Sequence, residues 1–108
     1  MLFRSVWLFG GNGYGGVTTT KGLLNDLWNY NPTTQQWTWV SGGQTTNDVH
    51  SASYGTIGTP AAGNQPGDRA GASGWVDSTG NLWMFGGFGF DAATPVANFG
   101  DMNDLWKF

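Results

Sequence analysis

Short apolar runs recur along the chain and are separated by glycine-rich or polar stretches. Residues 6–9 and 81–85 are two such runs, each followed by two glycines, which predicts strands buried on both faces. Residues 26–30 form another short run, and residues 36–40 alternate so that Trp37 and Trp39 share one face of a strand. Nineteen glycines and four prolines disfavour long helices. The pattern therefore predicts an all-β chain of antiparallel strands.

Two blocks of sequence occur twice. WLFGG at residues 7–11 returns as WMFGG at 83–87, 76 positions later, and NDLWNY at 25–30 returns as NDLWKF at 103–108, 78 positions later. Because both blocks recur in the same order at almost the same spacing, the chain contains an internal structural repeat. The two-residue difference falls between the blocks, where a loop absorbs it at little cost.

The repeat divides this single domain into three parts. Residues 1–40 carry strands two to four of one repeat, with a turn at 31–34, and residues 69–108 carry strands one to three of the next, with a turn at 77–80. Residues 41–68 are rich in Gly, Thr, Ser and Asn, and we interpret them as a long loop excursion. Tyr54 and Ile57 are its main apolar positions.

The order of RAGAS at 69–73, an apolar strand, the glycine pair at 86–87 and NDLW at 103–106 resembles a kelch repeat, of the long-looped bacterial variety related to galactose oxidase. The resemblance implies antiparallel β-propeller blades of four strands, with aromatic side chains packed between blades. Arg69 is then expected in a buried or inter-blade ion pair. The structural repeat positions that it implies are Gly10, Gly11, Trp28, Tyr30, Trp37, Arg69, Gly86, Gly87 and Trp106.

One chain holds too little sequence for a propeller. Its 108 residues make about 1.4 repeats, whereas a closed ring takes about four to eight blades. Seven tryptophans on so short a chain need a neighbour to cover them. We therefore expect an incomplete propeller that self-associates as a homo-oligomer or belongs to a larger propeller. Its function is predicted to be that of a non-catalytic interaction or structural module.

Catalytic chemistry finds little support. His50 lies near Asp48 and Ser51, but we interpret it as a solvated loop histidine rather than part of a nucleophilic triad. A single histidine and no cysteine predict neither a metal site nor the copper chemistry of galactose oxidase, and no cofactor is expected. Asp26 and Asp104 occupy equivalent positions and leave an aspartate-dependent hydrolase as an alternative. We favour structural aspartates that cap backbone amides, and hence not an enzyme.

A carbohydrate-binding module is the other alternative. Four aromatic residues are predicted on loops, where they would contact a glycan or protein ligand or seal neighbouring blades: Tyr14, Tyr54, Phe88 and Phe90.

Charge argues against nucleic acid as a partner, and segment length argues against a membrane. With four basic residues and a net charge of −3, the chain cannot build a phosphate-binding surface, so we expect no nucleic acid. No segment has the length of a membrane span, and residues 1–11 do not resemble a signal peptide. The cellular compartment stays undetermined.

Overall fold

The computed structural model describes residues 5–16, 19–46, 50–92 and 98–108. These residues form nine strands and no helix, which confirms the all-β prediction. The strands make three antiparallel sheets of three strands, in the orders β1-β2-β3, β4-β7-β8 and β5-β6-β9, and none of the sheets closes on itself. The strands are β1 (Val6–Tyr14), β2 (Lys21–Asn31), β3 (Gln36–Ser41), β4 (Arg69–Ala70), β5 (Ser73–Val76), β6 (Leu82–Phe85), β7 (Phe88–Phe90), β8 (Phe99–Asp101) and β9 (Leu105–Lys107).

The nine strands fall into two units that follow the sequence repeat. The first unit is the sheet of β1, β2 and β3. The second unit comprises the other two sheets, in which each long strand of the repeat is broken into two short ones. The pair β6 and β7, separated by Gly86 and Gly87, corresponds to β1, and the pair β8 and β9 corresponds to β2.

The strand register is the same in both units. Six of the eight pairings of β1 with β2 have a counterpart 76 residues later on β6 or β7 and 78 residues later on β9 or β8. The repeat therefore extends from sequence to backbone pairing. Matching pairs are Leu8↔Trp28 with Met84↔Trp106, Phe9↔Leu27 with Phe85↔Leu105, and Gly13↔Gly22 with Gly89↔Gly100.

Two predictions for β1 are wrong. The strand does not end at its glycine pair: a bulge between Phe9 and Gly11 lets it continue to Tyr14. Gly10, with φ +57°, and Gly11, with φ +106°, adopt backbone conformations that glycine accommodates within the bulge. Nor is β1 buried on both faces, because it lies at an edge of its sheet and Val6 and Leu8 are half exposed.

The core lies between the two units. Its buried apolar residues are Leu24, Leu27, Ala52, Leu82 and Met84. Phe9 of the first unit packs against Phe108 of the second, with ring centroids 5.9 Å apart. At Gly10 the approach is so close that a Cβ would lie 2.5 Å from the Arg69 carbonyl oxygen. Backbone contact, as well as side-chain packing, therefore fixes how the units meet.

After β3 ends at Ser41, the described part of residues 42–68 forms no strand before β4. One isolated bridge joins Ser53 to Gln65. Asn25 anchors both ends of this segment: its Oδ1 accepts the Gly43 N–H at 2.7 Å, and its Nδ2 donates to the Pro66 carbonyl at 3.3 Å.

Candidate functional site

Arg69 and Asp104 form an ion pair inside the second unit. The fully buried guanidinium donates from Nη1 to Oδ1 at 2.5 Å and from Nη2 to Oδ2 at 2.9 Å. Its Nε donates to the Gly67 carbonyl, and Nη1 also donates to the Gly86 carbonyl. A buried guanidinium with this many partners joins the first, second and third strands of the unit.

Tyr54 completes this network from the excursion. Its hydroxyl donates to Oδ2 of Asp104 at 2.9 Å, and its ring stacks on Trp106 with centroids 5.2 Å apart. Burial, followed by the hydrogen bond and charge of Asp104, raises the pKa of Tyr54 to about 12. Burial alone would raise the pKa of Asp104, but hydrogen bonds from Arg69, Trp106 and Tyr54 outweigh it and hold that pKa below its ordinary value. The carboxylate therefore stays charged while the phenol stays protonated.

The other predicted ligand-binding aromatics are not on loops, so that placement is wrong. Tyr14 ends β1 and is largely exposed, whereas Phe88 and Phe90 belong to β7. Both phenylalanines pack on Phe99, with centroid separations of 4.3 and 4.9 Å. Among the ring contacts of the described residues, none joins Tyr14 to Tyr54, Phe88 or Phe90.

His50 is not a solvated loop residue. The ring Nδ1 of His50 lies 2.9 Å from Oδ1 of Asp68. The backbone N–H of His50 donates to Oδ2 of the same carboxylate, also at 2.9 Å. Burial raises the pKa of Asp68 despite these hydrogen bonds. On the far side of the ring, Thr45 Oγ1 is 3.4 Å from Nε2, beyond the reach of about 2.6–3.2 Å that general-base catalysis uses. The contact between His50 and Asp68 therefore ties the excursion to the start of β4. Asp48 lies outside the described residues.

Asp26 and Asp104 were predicted to cap backbone amides. Within the described part of the chain, their carboxylates instead bind indoles. Each accepts the N–H of the tryptophan two residues later, Trp28 at 2.6 Å and Trp106 at 2.7 Å. Because side chains two apart on a strand share a face, the Asp-Leu-Trp spacing was a usable signal for this contact. Asp77 likewise accepts the indole N–H of Trp83 at 2.8 Å.

Alternation along the strands gives each unit two different faces. We call front the face that carries Val6, Leu8, Trp28 and Tyr30 in the first unit and their equivalents Leu82, Met84, Trp106 and Phe108 in the second. We call back the opposite face, with Trp7, Phe9 and Leu27 in the first unit and Trp83, Phe85 and Leu105 in the second.

Within the chain, the back of the first unit meets the front of the second. Phe9 and Phe108 touch across this contact, and a cleft of about 370 Å³ remains beside it, lined by Leu27 and Met84 among others. Covered positions are buried: Leu27 is 2% exposed and Met84 3%. Their uncovered equivalents are not, since Leu105 is 56% exposed and Leu8 51%. Leu27 and Met84 are thus buried beneath the neighbouring unit, whereas, within the described residues, their equivalents Leu105 and Leu8 have no unit over them.

The uncovered front of the first unit is strongly aromatic. Trp37 and Trp39 on β3 pair with Tyr30 and Trp28 and continue the face outwards. Tyr30 and Trp37 are in contact, with centroids 5.0 Å apart, and both β3 tryptophans are exposed. The front of the first unit thus carries an exposed aromatic patch.

The described residues contain no group of three or more histidine, cysteine or acidic side chains arranged to hold a metal ion. The same residues include no helix of the length and apolarity needed to span a membrane.

Comparisons with known proteins find no match to this chain, whether among protein-family models, curated proteins or solved structures.

Proposed function

We propose that this chain is a non-catalytic, kelch-like structural module that assembles with copies of itself. In the assembly, the front of the first unit of one copy covers the back of the second unit of the next. The kelch resemblance of the repeat supports this proposal, as do the antiparallel three-stranded sheets, which leave room for a fourth strand.

The observation that carries the proposal is the contrast between equivalent residues. Leu8 is exposed where Met84 is buried, and Leu105 is exposed where Leu27 is buried. The two outer faces are therefore uncovered versions of the two faces that already meet inside the chain. A second copy fits because it brings the complementary face, with apolar side chains at the same repeat positions.

Assembly of this kind is driven by burial of apolar area, at about 25 cal/mol per Å² before ordering costs. Because front and back differ, the contact is heterologous, and a ring forms when the rotation between copies closes. A chain with two units would close rings of about two to four copies, since propellers have about four to eight blades.

Two single variants and their mixture test the proposal. Leu8→Asp places a charge on the outer front, and Leu105→Asp places one on the outer back. Light scattering should give a multimer for the unmodified chain and a monomer for each variant alone. An equimolar mixture should form a one-to-one dimer, because each variant keeps the face that the other has lost.

The matched control is Ile57→Asp, which puts the same charge on a fully exposed apolar residue of the excursion. This variant should keep the multimer. A monomeric unmodified chain, or a mixture of the two variants that stays monomeric, would overturn the proposal.

A further inference from the structure

The outer edge of β1 differs from its equivalent in the second unit. There, β6 and β7 are covered by β5 and β4, with Ser73 opposite Phe85 and Arg69 opposite Gly89. Within the described part of the chain, the corresponding edge of β1 has no strand beside it. The second unit therefore shows what a covered edge looks like in this repeat.

Glycines make room for the covering strand. A Cβ on Gly89 would overlap the Asp68 carbonyl oxygen and lie 2.6 Å from the Arg69 Cβ. On Gly87 it would lie 2.9 Å from the Ala70 carbonyl oxygen. Only glycine at these two positions allows β4 to approach so closely.

The first unit has glycines at the same two repeat positions, Gly11 and Gly13, but no covering strand of the described chain lies against them. A Cβ on Gly13, the equivalent of Gly89, would meet only the Leu24 side chain, at an ordinary 3.6 Å, and Gly11, the equivalent of Gly87, has nothing within 4 Å. Gly13 also has no positive φ. Its own surroundings therefore do not require glycine, but an approaching strand would.

The first unit also has a carboxylate, that of Asp26, at the repeat position of Asp104. Asp26 corresponds to Asp104 and holds its tryptophan in the same way, yet no lysine or arginine among the described residues pairs with it. Burial raises the pKa of Asp68, and the nearby charge of Asp26 raises it further. The edge of β1 thus combines negative charge with space for a backbone.

We propose that the β1 edge at Gly11, Gly13 and Asp26 binds an extended, arginine-bearing peptide segment of the chemistry of residues 68–76, DRAGASGWV. The segment runs antiparallel to β1, and its arginine pairs with Asp26 as Arg69 pairs with Asp104. Main-chain hydrogen bonds supply affinity, and the guanidinium fork supplies selectivity. This site lies on a sheet edge and does not depend on the stacking of fronts and backs.

A fluorescein-labelled peptide of residues 66–77 tests the site by fluorescence anisotropy against the full chain. We expect saturable binding, and at least tenfold weaker binding when the peptide arginine is replaced by lysine, which cannot form the fork. Asp26→Asn and Gly13→Ala should each weaken binding at least tenfold. Circular dichroism and the melting temperature establish that both variants are folded.

Matched controls are Asp101→Asn and Gly100→Ala, an exposed aspartate and a glycine with open space around its Cβ position, and both should bind as the unmodified chain does. Peptide that exchanges with the chain's own β4 would compete for Asp104 and would be insensitive to Asp26→Asn and Gly13→Ala. That insensitivity, or no saturable binding, would overturn the proposal.

Repeating the titration on Leu105→Asp separates the two proposals. Binding to this variant should be unchanged, whether or not the unmodified chain forms a multimer.

Discussion

Arg69 and Asp104, 35 residues apart in sequence, are joined by two parallel N–H···O bonds that tie the first strand of the second unit to the third. The guanidinium is wholly buried and Asp104 is nearly so. Each charge needs the other, because removing one partner leaves the second desolvated without compensation.

Asp104→Asn should destabilise the chain by about 3 kcal/mol, a cost typical of breaking a buried pair. Urea unfolding followed by tryptophan fluorescence measures it. Asp101→Asn, on an exposed aspartate, should change the free energy of unfolding by no more than about 0.5 kcal/mol. Equal effects of the two substitutions would contradict the importance of the ion pair.

Leu27→Ala and Leu105→Ala compare one repeat position in two environments. Leu27→Ala should cost about 2–5 kcal/mol because it opens a cavity between the units, while Leu105→Ala should cost less than about 1 kcal/mol in a dilute, monomeric sample. Unfolding at low protein concentration keeps assembly out of the comparison. Similar costs would mean that the units do not bury Leu27 against each other.

Gly10→Ala should destabilise the fold severely. The residue has φ +57°, and the new Cβ would lie 2.5 Å from the Arg69 carbonyl oxygen and 2.6 Å from that of Leu24. Both atoms are backbone, so the contact between the units must open, at a cost of several kcal/mol. Gly100→Ala, with no atom within 4 Å of the new methyl, should be nearly neutral in the same thermal melts.

Titration of Tyr54 should be displaced to high pH. Its pKa of about 12 in the folded chain lies above the ordinary value of about 10, so its contribution to stability is complete below pH 10 and is lost as the pH rises towards 12. The difference in absorbance at 295 nm between the unmodified chain and Tyr54→Phe isolates this phenol. A midpoint near 10 with near-ultraviolet circular dichroism intact would refute the hydrogen bond to Asp104.

Asp77 should make the stability of the chain fall at low pH, whereas Tyr54 makes it fall at high pH. Hydrogen bonds from Trp83 and Asn81 hold the pKa of this partly exposed carboxyl well below its ordinary range. Its contribution is therefore present above about pH 4 and is lost as the pH falls towards the lower, folded value. Asp77→Asn should flatten the loss of stability between pH 5 and pH 2, roughly the window in which a free aspartate titrates, in urea unfolding series.

Strand positions followed from the sequence because local patterns determine them. The runs around Trp7 and Trp83 and the alternation around Trp37 all lie in strands, and the offsets between the repeated blocks became offsets in strand register. The prediction that β1 ends at the glycine pair 10–11 was wrong, because glycine can either end a strand or permit a bulge within it. At Gly10 the Arg69 carbonyl oxygen also approaches closely, a tertiary contact that the local pattern does not contain.

Side-chain partners were harder to predict because tertiary contact chooses them. An ion pair was expected for Arg69, but its partner, Asp104, lies 35 residues away in sequence, directly before β9. His50 finds Asp68 across 18 residues in the same way. The indole contacts of Asp26 and Asp104 are local and were missed for another reason, since capping of amides was the more familiar role for aspartate.

The two units differ in the length of the segment between their second and third strands, which has six residues from Tyr14 to Lys21 and eight from Phe90 to Phe99. The pairing on either side is unchanged by those two extra residues. A change of length in this connection is therefore accommodated without a shift in the pairing of the two strands that it joins.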